Sequence, residues 1–459
     1  MKTKRPAIAV IDVGKTNKKL FLFDQEYNIV CERSARFIET VDEDGDPCEN
    51  LESLRLSVFD SLRSIFNKKD FDVKAINFSA YGASLVNIDE EGNPVTPLYN
   101  YLKAYPGELK KQFYNSYGGE ENFSLCTASP VLGSLNSGMQ LYRLKYEKPE
   151  VFRRIHYSLH LPQYLSYLIS CKPCSDITSI GCHTNLWDFQ KNQYHEWVYA
   201  EGIDQKLAPV CPYDETTKAV FPGNNYLVGI GLHDSSAALI PYLVYFQEPF
   251  ILLSTGTWCI SLNPFNDKLL TVEELKQDCL CYLHYQGKPV KASRLFAGQT
   301  HEEGVKRIAE YFHQDVLKYR QIEFNPEQVA KLRKNEGSEI VELTKNKFEE
   351  RDLSSFTNYE EAYHQLMLDI IRQQIKSTQL VLDGSPVKRL FVDGGFSRNV
   401  IYMNLLAMAF PDLEVYAASM AQATALGAAL AIHKSWNKKR LPNTLIRLQY
   451  YSATQAVLV

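Results

Sequence analysis

The sequence lacks any long hydrophobic run and any excess of charge. None of its apolar stretches approaches the roughly 18 consecutive residues that a membrane-spanning helix requires. The apolar run after the basic N-terminus covers only residues 7–11 before Asp12 interrupts it, whereas a secretory leader needs about 7–15 apolar residues. The 50 Lys and Arg residues are balanced by 54 Asp and Glu residues, which argues against a nucleic acid or an anionic membrane as partner. We therefore expect a cytoplasmic protein that binds neither.

A regular cysteine framework is also absent. The ten cysteines are scattered through 459 residues, a pattern that fits reduced thiols better than disulfides. One cluster stands out, Cys171, Cys174 and Cys182 with His183, because thiolates at the Cys-x-x-Cys spacing can share a zinc ion. The gap to Cys182 is short for a zinc finger, which favours ordinary buried thiols, and metal binding by this cluster stays an open question.

The hydrophobic content suffices for more than one domain. Hydrophobic residues make up 45% of the chain, and its length predicts two large domains or three small ones. Two apolar segments, 7–11 and 250–253, each lead into a turn rich in glycine and hydroxyl groups and then a return strand, which predicts two β-hairpins. Gly14 and Gly256 in these turns lie 242 positions apart, which suggests a duplicated domain with the turns facing each other across a cleft. The alternative is that hairpins simply recur in an α/β protein.

Strands and helices alternate along the rest of the chain. Strands are predicted at 73–79, 228–230, 389–392 and 414–417, and helices at 137–145, 161–170, 235–245, 359–382, 398–410 and 421–432. The charge-rich segment 333–352 is predicted to be a solvated helix or an insertion. The alternation indicates a mixed α/β fold.

The first hairpin turn carries residue types that suit a phosphate and its metal ion. Asp12 ends a buried strand, and a carboxylate there can hold a metal ion beside a phosphate, usually through water. Gly14 lets the backbone approach the phosphate, and Thr16 supplies a hydroxyl. Gly14-Lys15-Thr16 also spells the end of a Walker A loop, but that motif needs a glycine at position 9, which is Ala, and a helix after the turn. Taken alone, Asp12 fits an ordinary turn residue equally well.

Two further segments could take part in the same chemistry. Residues 254–257 repeat the glycine- and hydroxyl-rich turn, so the two turns could hold a triphosphate from opposite sides, although such residues are also common in plain turns. Residues 231–234 precede a helix of small residues. There Asp234 either caps the helix or acts as the general base that accepts a hydroxyl proton during phosphoryl transfer. The position alone favours the cap.

A glycine loop at 393–399 joins a strand to a helix. Gly394 and Gly395 would let a flat ring such as adenine lie against the backbone, while Ser397 could equally be the N-cap of a plain loop. The small-residue helix at 424–429 shows only that another element packs closely against it.

Taken together and in this order, these segments resemble the FGGY carbohydrate kinases of the actin-like ATPase superfamily, over about residues 7–435. Residues 12–17 look like the first phosphate motif of the family and residues 254–258 like the second. Residues 231–234 resemble the catalytic segment of the rhamnulokinase and fuculokinase branch. Residues 392–399, followed by 424–429, resemble the adenosine motif.

The resemblance implies an α/β protein with the two-lobed actin-like ATPase fold, in which two ribonuclease H-like lobes enclose a central ligand cleft. Residues 1–245 would form the lobe that binds the sugar and carries the base, residues 246–440 the lobe that binds ATP, and residues 441–459 a C-terminal tail. The implied site residues are Asp234 as the catalytic base; Asp12 as the ligand of Mg²⁺; Asp12, Gly14, Lys15, Thr16, Asn17, Gly256, Thr257, Gly394, Gly395 and Asn399 for ATP and its phosphates; and Gly82, Ala83, Tyr101, His233 and Asp234 for the sugar.

The sequence departs from the family pattern mainly around the sugar. Residues 82–84 read Gly-Ala-Ser, where rhamnulokinase-like and fuculokinase-like members tend to read Gly-Val-Asp. Tyr101 and Tyr105 stand where other members have Trp and Arg, and Gln422 stands where many have Glu near the nucleotide. The resemblance therefore supports the type of reaction more strongly than it supports any particular sugar.

The implied function is ATP-dependent phosphorylation of a sugar at its primary hydroxyl, with a ketose such as L-rhamnulose or L-fuculose favoured. The alternatives are a pentulose kinase acting on xylulose or ribulose, and an actin-like ATPase sensor or scaffold without sugar turnover. The complete segment 231–234 argues against a scaffold, which needs no base. The identity of the sugar and the choice between a monomer and a homodimer stay open.

Overall fold

Two seven-stranded sheets, one from each half of the chain, dominate the structure. They are seen in a computed structural model that describes residues 4–15, 18–35, 38–220, 225–335, 348–420 and 422–452. Thr16 and Asn17, both predicted to bind phosphate, and most of the charged segment 333–352 lie outside the described residues. None of the helices within these ranges is both long and apolar enough to cross a bilayer.

The first half of the chain holds thirteen strands and nine helices within the described residues. The strands are β1 (Arg5–Val13), β2 (Lys18–Asp24), β3 (Ile29–Ala35), β4 (Glu39–Val41), β5 (Pro47–Glu49), β6 (Phe71–Ala80), β7 (Leu85–Ile88), β8 (Tyr157–His160), β9 (Trp187–Asp188), β10 (Gln193–Tyr194), β11 (Thr216–Lys218), β12 (Leu227–Gly229) and β13 (Leu232–His233). The helices are α1 (Leu51–Phe66), α2 (Gly107–Ser116), α3 (Glu120–Thr127), α4 (Ser137–Glu147), α5 (Pro149–Arg154), α6 (Leu161–Ser170), α7 (Ile177–Ile180), α8 (Glu196–Ala200) and α9 (Asp234–Tyr245).

The second half holds seven strands and seven helices in the part that the structure describes. The strands are β14 (Phe250–Thr255), β15 (Cys259–Asn263), β16 (Cys279–Leu283), β17 (Pro289–Leu295), β18 (Arg389–Gly394), β19 (Glu414–Ser419) and β20 (Arg447–Tyr451). The helices are α10 (Val272–Lys276), α11 (Ala297–Tyr311), α12 (Pro326–Asn335), α13 (Tyr359–Leu382), α14 (Val400–Ala409), α15 (Ala423–Ala431) and α16 (His433–Trp436).

The two sheets share one topology. In the first sheet, β1 pairs antiparallel with β2 and β2 with β3, while β6 and then β12 follow in parallel on the other side of β1. In the second sheet, β14 pairs antiparallel with β15 and β15 with β17, while β18 and then β19 follow in parallel. The hairpins β1–β2 and β14–β15 therefore occupy the same central place, which confirms both predicted hairpins and supports the duplicated domain.

Most of the predicted elements are confirmed. The long helix predicted over 359–382 is α13, whose first turn is capped by the side chain of Asn358. The helix predicted over 398–410 is interrupted near its start. Phe396–Arg398 form a 3₁₀ turn, and Asn399 then caps α14 by accepting a hydrogen bond from a backbone N–H of its first turn.

Two helices cross between the sheets, and each one packs against the sheet of the other half. From the second half, α15 places Ala428 in a core with Val10 and Phe21 of the first sheet. From the first half, α9 places Tyr242 in a core with Phe391 of the second sheet. The boundary that the sequence suggests at residue 245 thus falls at the end of a helix shared by both cores.

The crossing is close because small residues meet there. A Cβ atom added to Gly427 of α15 would lie 1.8 Å from the carbonyl oxygen of Ala237 in α9, so a side chain at this position would need the backbone to move. Asn77 of β6 supports the same crossing. Its amide donates to the carbonyl of Ala428 at 2.7 Å, and its Oδ1 accepts from the N–H of Gly231 at 3.1 Å. One buried side chain thereby joins α15 to the loop that leads into α9.

The last described residues of the chain contact both lobes. The hydroxyl of Tyr27, after β2, lies 2.7 Å from His433 Nδ1 in α16, and the amide of Asn437 donates to the carbonyl of Gln25 at 2.8 Å. Within the segment 441–459, which the sequence sets apart as a tail, β20 pairs antiparallel with β19 and forms an edge of the second sheet.

We expect Gly427→Ala to destabilise the protein, because its Cβ would meet the Ala237 backbone. Overpacking typically costs about 1–3 kcal/mol, and each kcal/mol lowers Tm by about 2–4 °C in a domain of 150–250 residues. Thermal unfolding of Gly107→Ala is the matched control, since a Cβ at that exposed glycine of α2 would meet nothing within 4 Å. Equal Tm values for the two variants would show that the crossing tolerates a side chain.

Candidate active site

The predicted phosphate and sugar residues lie where central strands of the two sheets end. Asp12 is the next-to-last residue of β1, and Gly82 follows β6, the parallel neighbour of β1. In the second sheet, Gly256 follows β14, and Gly394 ends β18, again a parallel neighbour. Because parallel strands end at the same edge of a sheet, each sheet presents its predicted ligands along one edge.

Asp12 lies deep in the protein, although part of its side chain remains open to solvent. Its Oδ2 accepts a hydrogen bond from Thr424 Oγ1 at 3.3 Å, which links β1 to the start of α15. Burial and, after it, the negative charge of Asp234 raise the pKa of Asp12 to about 7. Two carboxylates that repel each other in a buried setting suit a hard divalent cation, which prefers oxygen ligands.

Asp234 is the first residue of α9 and does not cap it, because His233 occupies the N-cap position. Its Oδ1 accepts a hydrogen bond from the Ser235 N–H at 2.6 Å and lies 3.2 Å from His233 Nε2. The side chain is 30% exposed, so that a ligand can reach it. Burial lowers the pKa of His233, which favours an uncharged imidazole beside the carboxylate. The carboxylate is thus oriented and accessible, as a general base must be.

Gly82 and Ala83 form the wall beside His233. A Cβ atom on Gly82 would lie 3.0 Å from His233 Cδ2 and 3.0 Å from Cys182 Sγ, so a side chain here would push against the imidazole and the thiol. Ala83 has a φ of +60°, in the left-handed region, and its carbonyl accepts a hydrogen bond from Gln140 Nε2 at 2.9 Å. The structure therefore brings together three predicted sugar residues and adds two others: Gln140, which no motif marks, and Cys182, which the sequence singled out only as part of the cysteine cluster.

Lys15 lies with the predicted sugar residues. Its Nζ is 3.7 Å from Glu49 Oε1 and 5.3 Å from the centre of the Tyr101 ring. The Tyr101 ring packs edge-on against Tyr81, whose hydroxyl donates to Glu49 at 2.9 Å. Burial and, after it, the charges of Asp234 and Glu49 raise the pKa of Tyr101. The sequence suggests a phosphate ligand at Lys15 and gives no signal for the buried Glu49.

The second turn and the glycine loop form one unit around Thr255. The pairing of β14 with β18 sets Thr255 beside Gly394, which has a φ of +91°. A Cβ atom on Gly394 would lie 1.9 Å from the Thr255 carbonyl oxygen. That carbonyl accepts a hydrogen bond from the Gly395 N–H at 2.9 Å, and Thr255 Oγ1 accepts one from the Phe396 N–H at 3.0 Å. The glycine loop is thereby fixed against the strand that carries the second turn.

Gly256 and Thr257 receive the first turn of α11. The Thr257 carbonyl accepts hydrogen bonds from the N–H groups of Gly298 at 3.1 Å and Gln299 at 3.3 Å. A Cβ atom on Gly298 would lie 1.9 Å from the carbonyl oxygen of Gly256. Gly298 is therefore a site residue that motif reasoning missed, and its one signal in the sequence is a glycine in the first turn of a helix.

Two cavities border on the glycine loop. The smaller cavity, of about 310 Å³, is lined by the start of α9, the start of α15 and the loop, including Asp234, Asp393 and Thr424. The larger cavity, of about 800 Å³, is lined by the second turn, the first turns of α11 and the far side of the loop. A Cβ atom on Gly395 would meet nothing within 4 Å. Gly395 thus faces open space in the larger cavity, although Gly394 does not.

The lining of the larger cavity includes a group of uncharged polar residues beside its charged ones. Asn399, besides capping α14, donates through Nδ2 to the Tyr363 hydroxyl at 2.7 Å, and that hydroxyl lies 3.0 Å from His301 Nε2. Burial lowers the pKa of His301 to about 4, so it is neutral at neutral pH. The partly exposed apolar residues Val316 and Leu317 also line this cavity. Such a lining suits a flat heteroaromatic ring.

The cysteine cluster does not assemble a zinc site among the described residues. Cys171 is exposed, Cys174 Sγ lies 2.8 Å from Cys211 Sγ, and Cys182 Sγ lies 3.1 Å from His233 Nε2. The described part of the chain contains one group of three potential metal ligands, Asp42, Asp44 and Asp46. Lys103 Nζ already pairs with that group, at 2.5, 2.7 and 3.1 Å from the three carboxylates, and offsets one of their three negative charges.

Two α/β lobes of one topology, interlocked by two helices around a ligand cleft, define the actin-like, ribonuclease H-like ATPase fold, as the resemblance implied. Residues 7–239 match the N-terminal domain of the FGGY family of carbohydrate kinases, and residues 361–436 match its C-terminal domain. The chain belongs to the FGGY family of carbohydrate kinases.

Individual relatives are distant. The rhamnulokinase of Halalkalibacterium halodurans is 18% identical over 279 residues, 54% of either chain, and the L-fuculokinase of Escherichia coli K12 is 20% identical over 269 residues, 56% of either chain. The chain thus spans about half the length of the curated relatives it matches. A crystal structure of a carbohydrate kinase from Novosphingobium aromaticivorans superposes with a TM-score of 0.79 at 22% identity, covering 98% of this chain and 95% of that one.

We expect Gly395→Val to weaken the binding of an adenine nucleotide without unfolding the protein, because the new side chain would enter open space in the larger cavity. Losing shape complementarity around a flat ring should raise the Kd for ATP by at least about tenfold, or about 1.4 kcal/mol. Calorimetric titration with ATP checks the affinity, and thermal unfolding checks the fold. An unchanged Kd in a folded variant would remove Gly395 from the nucleotide site.

Proposed function

We propose that this chain transfers the γ-phosphoryl group of ATP to the primary hydroxyl of a ketose. The observation that carries the proposal is the position of Asp234. Its accessible carboxylate lines the smaller cavity with Gly394 and Thr424, and Tyr101 lies within reach of its charge. A base between a phosphate-sized cavity and a wall of polar and aromatic side chains meets the needs of phosphoryl transfer to a hydroxyl.

Asp234 would accept the proton of the sugar hydroxyl as its oxygen attacks the γ-phosphorus. Among the described residues, the hydrogen-bond partners of this carboxylate, Ser235 and His233, all engage Oδ1. Oδ2 is therefore the oxygen that we assign to the hydroxyl. The neutral His233 and the N-terminal position in α9 hold the carboxylate in place without replacing it as a base.

The adenosine would occupy the larger cavity, against Gly395 and Asn399, and the phosphates the smaller one. Members of the FGGY family use ATP as phosphate donor, and Mg²⁺ is generally the associated ion. In this chain Asp12 would hold the ion, since its buried carboxylate beside Asp234 offers the oxygen ligand that Mg²⁺ prefers. When bound, the ion neutralises charge on the phosphate oxygens. Gly14, Thr16, Asn17, Gly256, Thr257 and Gly394 stay assigned to the phosphates by the resemblance. Of these, Gly394 also lines the smaller cavity, and Gly256 and Thr257 line the larger one.

The sugar would lie against Gly82, Ala83, Tyr101 and His233. We now add Lys15 to this group, because its ammonium lies beside the Tyr101 ring. The rhamnulokinase and L-fuculokinase relatives support L-rhamnulose or L-fuculose as the acceptor. In this proposal residues 1–245 bind the sugar and carry the base, residues 246–440 bind ATP, and residues 441–459 follow as a C-terminal segment.

We expect Asp234→Asn to keep its fold and its ligands but to lose turnover. Asn can still accept the Ser235 hydrogen bond but cannot take up the hydroxyl proton, and general-base catalysis contributes about 10²–10⁴-fold in rate. Initial rates with L-rhamnulose or L-fuculose, together with Tm, measure the two effects.

Asp267→Asn, which removes an exposed carboxylate that lines neither cavity, is the charge-matched control for this experiment. A wild-type kcat in Asp234→Asn would contradict the mechanism and leave Asp234 only a structural part of the helix start. A large loss of Tm would instead show that the carboxylate is needed for folding.

A further inference from the structure

Arg398 is the one residue of the described ranges that lines both cavities. It ends the 3₁₀ turn Phe396–Arg398, one residue after Ser397 and one before the helix cap Asn399. Its backbone is fixed on both sides, because its own N–H donates to the Gly395 carbonyl at 3.4 Å and Asn399 is held by α14. The backbone of Arg398 therefore has a fixed position between the two cavities.

The guanidinium of Arg398 is exposed and has no hydrogen-bond or ion-pair partner in the part of the chain that the structure describes. The other cations that line the larger cavity have such neighbours: Lys306 Nζ is 2.6 Å from Glu302, and Arg320 Nε is 3.4 Å from the Tyr319 hydroxyl. An arginine whose backbone is fixed and whose guanidinium has no ion-pair or hydrogen-bond partner is available for an anionic ligand.

The charges around the smaller cavity point the same way. Its lining includes the carboxylates of Asp234 and Asp393, and Arg398 is the sole Lys or Arg residue in that lining. Asp393 and Arg398 both line this cavity; burial raises the pKa of Asp393, and the charge of Arg398 opposes that rise. A polyphosphate entering such a space meets carboxylates and needs a cation to offset them.

We propose that Arg398 binds the α- and β-phosphates of the nucleotide, which are not transferred, where they pass from the larger cavity into the smaller one. The proposal rests on the proposed function of the two cavities. Arginine suits the task because its planar fork can bind two phosphate oxygens at once, whereas lysine offers one point charge. Since ATP and ADP share these phosphates and adenosine has none, the three ligands separate this role from ring binding.

The test compares wild type, Arg398→Ala, Arg398→Lys and the control Arg447→Ala by calorimetric titration with ATP, ADP and adenosine. Arg447 is an exposed arginine on the edge strand β20 and lines neither cavity. For Arg398→Ala we expect Kd values for ATP and ADP to rise by roughly 10–100-fold, since hydrogen bonds to charged groups are the strong ones. We expect adenosine to bind within about twofold of wild type, Arg398→Lys to be intermediate, and Arg447→Ala to be unchanged.

Three results would overturn the inference. If wild type binds ATP and ADP and Arg398→Ala binds them equally well, Arg398 is not a phosphate ligand, while the proposed function stands. An equal loss for adenosine would mean that Arg398 acts only through the shape of the glycine loop. If wild type binds no adenine nucleotide at all, the proposed function fails and this inference fails with it.

Discussion

The close crossing of α9 and α15 is the contact on which the rest of the structure depends. At Gly427 there is no room for a Cβ atom beside the Ala237 carbonyl, and each helix is buried in the core of the opposite sheet. Asp234 begins one of these helices, and Thr424, which contacts Asp12, lies in the first turn of the other. The packing of the two helices therefore helps to position both carboxylates proposed for the chemistry. A shift of α9 would move Asp234, and a shift of α15 would move Thr424 away from Asp12.

A second constraint is electrostatic. Asp234 and Asp393 line the cavity proposed for the phosphates, and Asp12 contacts Thr424 in the same lining. Burial and, after it, the charge of Asp234 raise the pKa of Asp12. Lys15 contributes little to offsetting these negative charges, because its ammonium lies beside Glu49 and Tyr101. Lys19 offsets part of the charge of Asp12, and Arg398 and the proposed metal ion are further sources of positive charge. The proposed sugar site and the proposed phosphate cavity therefore differ in charge. At the sugar site Lys15 pairs with Glu49, whereas the carboxylates of the phosphate cavity need bound ligands to balance their charge.

The parts of the fold that local patterns determine could be predicted. The two hairpins and α13 follow from apolar periodicity, and the glycine loop follows from Gly394, whose left-handed backbone a side chain would strain. The position of Lys15 could not be predicted, because it depends on Glu49, which pairs with it across the fold and belongs to no motif. The packing of α15 on the first sheet could not be predicted either. Its small residues indicate a close contact but do not identify the element that makes it.

Coupled assays of ADP release measure directly whether the protein phosphorylates a sugar. The protein would be given ATP, Mg²⁺ and, one at a time, L-rhamnulose, L-fuculose, xylulose and ribulose, each compared with the basal rate without sugar. We expect L-rhamnulose or L-fuculose to raise ADP release well above that rate, and the product to carry phosphate on its primary hydroxyl. If only xylulose or ribulose stimulates ADP release, the protein is a sugar kinase whose acceptor is a pentulose. A protein that binds ATP but responds to no sugar would contradict the account and leave an ATPase without an acceptor.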